Sequence, residues 1–212
     1  AKAMTRDTNG DGQPDVWGIG LGLATERFSF TPAVMAAIGA QGALFGDGCR
    51  ARLATPEVAR AVQWQADLIL QHRVTPREAV ATTSDDAIDQ FAAGRYGLQI
   101  IANSRFEQIQ RTAAGWNKND LALAPTPNWT ADRPGPQIIG GWFGVAWRGS
   151  PRVREAIRFI DHMTNAEAMA LWNLPGQQVP MLKSVGARAE MQRPEYAHLR
   201  LVSEFLSAAG FS

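Results

Sequence analysis

Large apolar residues alternate with glycine in "VWGIGLGLA" (Val16 to Ala24), a period of two that predicts a buried strand rather than a helix. "YGLQIIA" (Tyr96 to Ala102), "LALAP" and "IIGGWFGVAW" predict three further strands. Between them the apolar spacing changes to the helical period. "FTPAVMAAIGAQG" predicts a helix closed by glycine. The segment after it carries Val58, Ala61, Val62 and Ile69 on one face, with Thr55 at the N-cap and Pro56 at the first helical position. Ser84 is the expected cap of a short helix through Phe91, ended by Gly94. Ser104 with Glu107 and Thr164 with Glu167 have capping-box spacing, Ser150 with Pro151 opens a helix through Met163, and a last helix carries Tyr196, Leu199, Val202 and Leu206 on one stripe. Strands alternating with helices predict an α/β fold with at least partly parallel pairing.

The 212 residues, 45% of them hydrophobic, suffice for one large domain or two small lobes. Charges nearly cancel, 21 Lys+Arg against 20 Asp+Glu, and no basic stripe interleaved with aromatics is present, so nucleic acid is not an expected partner. Arg148, Arg152, Arg154 and Arg158 read as a solvated face. The lone Cys49 excludes an internal disulfide and CxxC motifs. No run of 18 apolar residues predicts a membrane span. The opening "AKAMT" reads as the end of a helix, which suggests a processed chain or a portion of a longer one.

The chemistry is concentrated in three places. "RDTNGDGQPDVWGIG" has Asp7, Asn9 and Asp11 at positions one, three and five of a calcium loop, Gly12 at six, Gln13 able to offer a carbonyl, and Asp15 at nine. Position twelve is Gly18, so the bidentate Glu is missing. The loop is read either as a structural calcium site or as an Asn-Gly/Asp-Gly turn entering a strand. No cofactor is otherwise required. The second place is "ANSRFE", where helix N-terminal amides with Asn103, Ser104 and Arg105 form a donor array beyond a strand end. The third is Trp142 after Gly140 and Gly141, where glycine permits close approach and an indole offers a flat apolar platform; core burial is its bland alternative. Trp64 reads as packing.

Catalytic motifs are lacking: no GxSxG, HExxH, P-loop or strand-to-helix GxGxxG. His72, His162 and His198 are scattered. Glu26, Asp85, Asp86 and Glu107 are candidates for a glycosidase pair that spacing alone does not single out, so a carbohydrate-active hydrolase is the alternative reading.

In chain order, the Asp-rich turn and strand, the block "FTPAVMAAIGAQGALFGDGCRARLATPEVARAVQWQADLILQHRVTP", then "AIDQFAAGRYGLQIIANSRF" and "GPQIIGGWFGVAW" followed by "PRVREAIRFIDHMTNAEAMALWNLPGQQVPMLKS", resemble the extracellular (periplasmic) solute-binding proteins of ABC importers, in the carbohydrate-binding group that includes maltose binders. The resemblance covers nearly the whole chain. It implies a type II periplasmic-binding-protein fold of two α/β lobes around a cleft, with much of the N-terminal lobe lying outside this sequence. Residues 1–140 would belong to the C-terminal lobe, 141–186 would comprise a hinge strand and helices returning to the N-terminal lobe, and 187–212 a helix returning to the C-terminal lobe. The implied ligand contacts are Gly141, Trp142, Asn103, Ser104 and Arg105, with Phe28 in the Thr25 to Phe30 loop and Gln178 beside Gln177. The expected ligand is a sugar or similar polyhydroxylated solute, the expected partner an ABC permease, the expected state a monomer, and the expected location periplasmic or extracellular at the cell surface.

Overall fold

The computed structural model describes residues 1–25, 45–129, 140–141 and 143–208. The expected helix in "FTPAVMAAIGAQG" and the residues Phe28 and Trp142 lie outside these. The chain divides into two compact units, Ala1–Ile138 and Ile139–Ser212.

In the first unit the segment from Val16 to Ala24 is extended and hydrogen-bonded along both edges. Trp17 N–H donates to the Arg95 carbonyl at 2.8 Å and the Gly97 N–H donates back to Trp17 at 2.9 Å, while Gly20 N–H donates to Leu98 at 2.9 Å. These bonds form two parallel bridges, Trp17 with Tyr96 and Gly20 with Gln99. On the other edge Ile19 N–H donates to Val74 at 3.1 Å, and the amides of Leu23 and Ala24 donate to Ala79 and Thr82 at 3.0 Å each. The two segments expected as strands are thus parallel neighbours, joined by isolated bridges instead of a continuous ladder. Among the described residues no longer strand forms.

The alternation explains the packing. Ile19 and Leu21, with Leu23 partly buried, face a core with Leu68, Val74 and Ala79. The glycines take the opposite face. A Cβ on Gly20 would meet Gln99 Oε1 at 2.1 Å, and one on Gly22 would meet the backbone of Thr83 and Ser84 at 2.8 to 2.9 Å. Absence of side chains is therefore what admits the neighbouring segment and the start of the next helix but one.

Helix α1, Pro56–Leu70, begins as predicted: Thr55 Oγ1 accepts the Val58 amide and Pro56 occupies the first turn. Its buried face differs from the expected one. Ala61 and Leu68 are buried and Trp64 packs against the core, whereas Val62 is 59% exposed. The apolar stripe is wide, and contact with Ile19 and Leu21 selects which edge of it turns inward. Helix α2, Ser84–Ala92, is capped by Thr83, whose hydroxyl accepts the Asp86 amide at 3.0 Å while the Asp86 carboxylate accepts the Thr83 hydroxyl at 2.6 Å. The cap thus falls one residue before the predicted Ser84, and Gly94 follows the helix at φ +79°. After a 3-10 turn at Asn103–Arg105, α3 spans Phe106–Thr112 with no side-chain cap. The predicted Ser104–Glu107 box does not form there: Glu107 turns outward to Arg111, 3.5 Å away. Ile88, Ala92 and Ile109 form a second core against Phe91 and Trp116, and Trp116 Nε1 donates to the Ala92 carbonyl at 2.8 Å. "LALAP" is not a strand; Leu121 packs on this core instead.

In the second unit, α4 spans Val153–Thr164, α5 Ala166–Asn173, α6 Lys183–Gly186 and α7 Ala197–Ala208. Asn165, not Thr164, caps α5, accepting the amides of Glu167 and Ala168 at 3.0 and 2.9 Å. Its carboxamide oxygen, one bond farther out than a threonine hydroxyl, reaches two amides at once. Met169, Ala170, Leu174, Val185, Met191 and Leu199 make one cluster, to which residues on both sides of position 186 contribute. The described part of the expected strand "IIGGWFGVAW" forms no bridge to another described segment: Phe143, Val145 and Trp147 are 82, 85 and 75% exposed, and the other face places Gly144 against Ile160. No extended neighbour among the described residues supplies the hydrogen bonds a strand needs. Arg152, Arg154 and Arg158 are exposed, as a solvated face requires.

Candidate functional site

Where the Tyr96–Ala102 segment ends, the chain turns through Asn103–Arg105 beside the N-terminus of α2. Arg105 is held from two sides. Its guanidinium donates to Asp85 Oδ1 at 2.7 Å and to Gln108 Oε1 at 2.9 Å. Ser84, Ile88, Gln99, Ile101, Ala102 and Arg105 line a cavity of about 10 Å³, room for about one water molecule. Gln99 Oε1 is buried and lacks a hydrogen-bond partner. The predicted trio Asn103, Ser104 and Arg105 thus sits half-buried at a polar strand end, with donors on Arg105 and an acceptor on Gln99.

Sequence reasoning overlooked Gln99 here and weighed Asp85 only as a candidate acid. Gln99 carried a signal, being the single amide side chain in the run "YGLQIIA". The described carboxylates proposed for hydrolysis have structural partners: Asp85 holds Arg105, Asp86 closes the α2 cap, and Glu107 faces Arg111. A larger groove of about 570 Å³ runs beside α1, lined by Leu53, Pro56, Val58 and Val62 among others, and includes none of the predicted ligand residues.

The opening loop is built on its own backbone. Arg6 pairs antiparallel with Val16, closing it. Asp7 accepts the amides of Gly10 at 2.6 Å and Gly12 at 2.8 Å, Asn9 accepts that of Asp11, and Asp11 that of Gln13. Asp15 accepts the Thr8 amide at 2.9 Å and the Thr8 hydroxyl at 2.7 Å, and these bonds, the hydroxyl's first, hold its carboxyl below the usual carboxylate range. Gly10 and Gly12 adopt φ of +82° and +84°, which the turn requires. Among the described residues no three His, Cys, Asp or Glu side chains converge on a point where a metal would sit.

Gly141 and Gln178 belong to the second unit. Gly141 is exposed, with open space where a Cβ would project. Gln178 is half-buried and follows α5 in a tight turn, its amide donating to the Asn173 carbonyl at 3.0 Å and that of Gln177 donating to Leu174 at 3.0 Å. This pair of bonds, with Gln177 at φ +49°, is a Schellman motif.

Residues 2–198 match the family described as bacterial extracellular solute-binding protein, and the chain belongs to that family. The fold agrees. Maltose-bound MalE3 of T. maritima superposes with a TM-score of 0.70 at 21% identity, over 90% of this chain and 49% of that one. The maltose/maltodextrin-binding domain MalE of Bdellovibrio bacteriovorus, bound to maltotriose, gives 0.71 at 19% identity, over 100% of this chain and 52% of that one. The chain therefore spans about half the length of these solved relatives. No curated protein matches its sequence. Among the described residues, no helix is long and apolar enough to cross a membrane.

Proposed function

We propose that the protein is the solute-binding component of an ABC importer and captures a sugar or similar polyhydroxylated solute in a cleft between the lobes of a longer chain. The observation that carries this reading is the polar strand end at Asn103–Arg105, in a family of binding proteins whose solved relatives were captured with maltose and maltotriose. A guanidinium already oriented by Asp85 and Gln108 meets a hydroxyl without first losing its own side-chain freedom. Each hydroxyl left unpaired in a buried site costs about 1 to 3 kcal/mol, so such donors select among sugars.

In this reading Trp142 and Phe28 supply aromatic faces for the C–H face of a pyranose ring, and Gly141 and Gln178 line the ligand's path. Residues 1–140 belong to the C-terminal lobe, and 141–186 contains the hinge strand and helices of the N-terminal lobe, to whose core the expected returning segment 187–212 instead contributes Met191 and Leu199. The protein works as a monomer outside the cytoplasmic membrane and hands its ligand to the permease. A ligand that bridges two lobes favours the closed form by its differential affinity, and nothing is chemically altered.

Titration calorimetry of the full-length protein against mono- and oligosaccharides tests the proposal. Saturable heat with the sugar recovered intact supports it. Heat from no sugar, or release of a shorter sugar, overturns it.

A further inference from the structure

The last residue of α5 and the turn after it hold two buried polar atoms that the fold leaves without a partner. Asn173 is only 2% exposed, and its Nδ2 is buried without a hydrogen-bond partner. Gln177, the left-handed residue of the same Schellman motif, has its Oε1 buried and equally without one. Their backbones are satisfied: the Asn173 carbonyl accepts the Gln178 amide, and the Gln177 amide donates to Leu174. Only the side chains are left over, one as a donor and one as an acceptor.

The residue choice at 177 points the same way. A left-handed position closing a helix favours glycine, which has no Cβ to crowd the preceding turn. Here glycine stands one place earlier, at 176, and glutamine takes the strained position. A strained residue whose polar end is buried and unpaired contributes nothing to stability at either end of its side chain. Strain of this kind is retained where it serves a function.

We infer that Asn173 and Gln177 form a hydroxyl-binding pair, rest on the sugar-binding reading above, and help to set which solute is accepted. A hydroxyl matches them because one small group can both accept, here from Asn173 Nδ2, and donate, here to Gln177 Oε1. Gln178, next along the chain and proposed above to line the ligand's path, adjoins this pair. Two sources can provide the hydroxyl, an internal water or the solute, and the pair is assigned to the solute.

The test uses the full-length protein and three variants, Gln177→Gly, Gln177→Glu and Asn173→Ala, titrated with the sugar that binds the unmodified protein best. Gln177→Gly is expected to raise Tm by relieving strain and to weaken Kd about ten-fold, the loss of one buried hydroxyl partner. Gln177→Glu keeps the acceptor and is expected to retain more affinity than the glycine variant. Asn173→Ala covers the donor side and is expected to weaken Kd similarly. A higher Tm for Gln177→Gly with Kd unchanged in all three variants assigns the pair to an internal water and overturns the inference alone. Failure of every sugar to bind the unmodified protein overturns the inference together with the reading beneath it.

Discussion

Thr75 donates its hydroxyl to the Ile19 carbonyl at 3.0 Å, and both residues are buried. Position 19 lies in the central extended segment and position 75 just beyond α1, so this single bond ties a loop to the middle of the paired segments. Replacing Thr75 with valine keeps the shape and removes the donor, leaving a buried carbonyl short of one partner. The expected loss is about 1 to 3 kcal/mol, read as a lower urea midpoint at constant slope.

Gly22 packs against backbone and not against a movable side chain. An added methyl would lie 2.8 Å from Ser84 Cα and from the Thr83 carbonyl oxygen. Gly22→Ala is therefore expected to destabilise by about 1 to 3 kcal/mol, while Gly48→Ala meets no neighbour and suffers only from its φ of +67°. Equal midpoints for Gly22→Ala and the parent would contradict this packing.

His198 is 8% exposed, and burial holds its pKa below the usual imidazole value of 6.5, partly offset by a backbone hydrogen bond with Glu195. The native state resists protonation that the unfolded chain accepts. Stability is accordingly complete above 6.5 and is lost as pH falls from there toward the lower folded value. Chemical denaturation between about pH 7.5 and 5 should show this slope, and His198→Leu should flatten it.

The first loop responds to acid, and its integrity is expected not to depend on a metal. Asp15 has a pKa below the usual aspartate value of 3.8, so its bonds to Thr8 are intact above 3.8 and are lost as pH falls through the lower folded value. Protection of the Thr8 amide from hydrogen exchange reports the change directly. At neutral pH a chelator is expected to leave Tm unmoved; a rise of several degrees on adding calcium would instead mark a bound ion.

Arg105 and Asp85 are 38 and 71% exposed, so their ion pair adds little to stability despite its 2.7 Å separation. Asp85→Asn should shift the unfolding midpoint by less than about 1 kcal/mol. On the reading proposed above it should weaken sugar binding several-fold, because the guanidinium loses its orientation. Unchanged affinity would remove Arg105 from the site.

Local chemistry was legible in the sequence wherever a few neighbouring residues decide the outcome. Thr55 and Pro56 start α1, Gly94 follows α2, and the glycine-alternating run from Val16 is extended with Ile19 and Leu21 inward, as their spacing predicts. Caps were placed one residue away where two hydrogen-bonding side chains adjoin, Thr83 with Ser84 and Thr164 with Asn165, since either suits the position. The candidate site was legible as the Asn103–Arg105 turn, but not the partners that orient Arg105 or the orphaned amide of Gln99.

By itself the sequence determined the start of α1, the extended glycine-rich segment, and the order of blocks that places the chain among extracellular solute-binding proteins. These depend on side chains a few positions apart, or on motifs kept in linear order. Tertiary structure alone decided that Tyr96 to Gln99 lies parallel to Trp17 to Gly20, that Val62 faces outward, and that the backbone near Phe143 forms no bridge to another described segment. Pairing and burial depend on which distant segment arrives alongside, and periodicity within one segment carries no record of its neighbour.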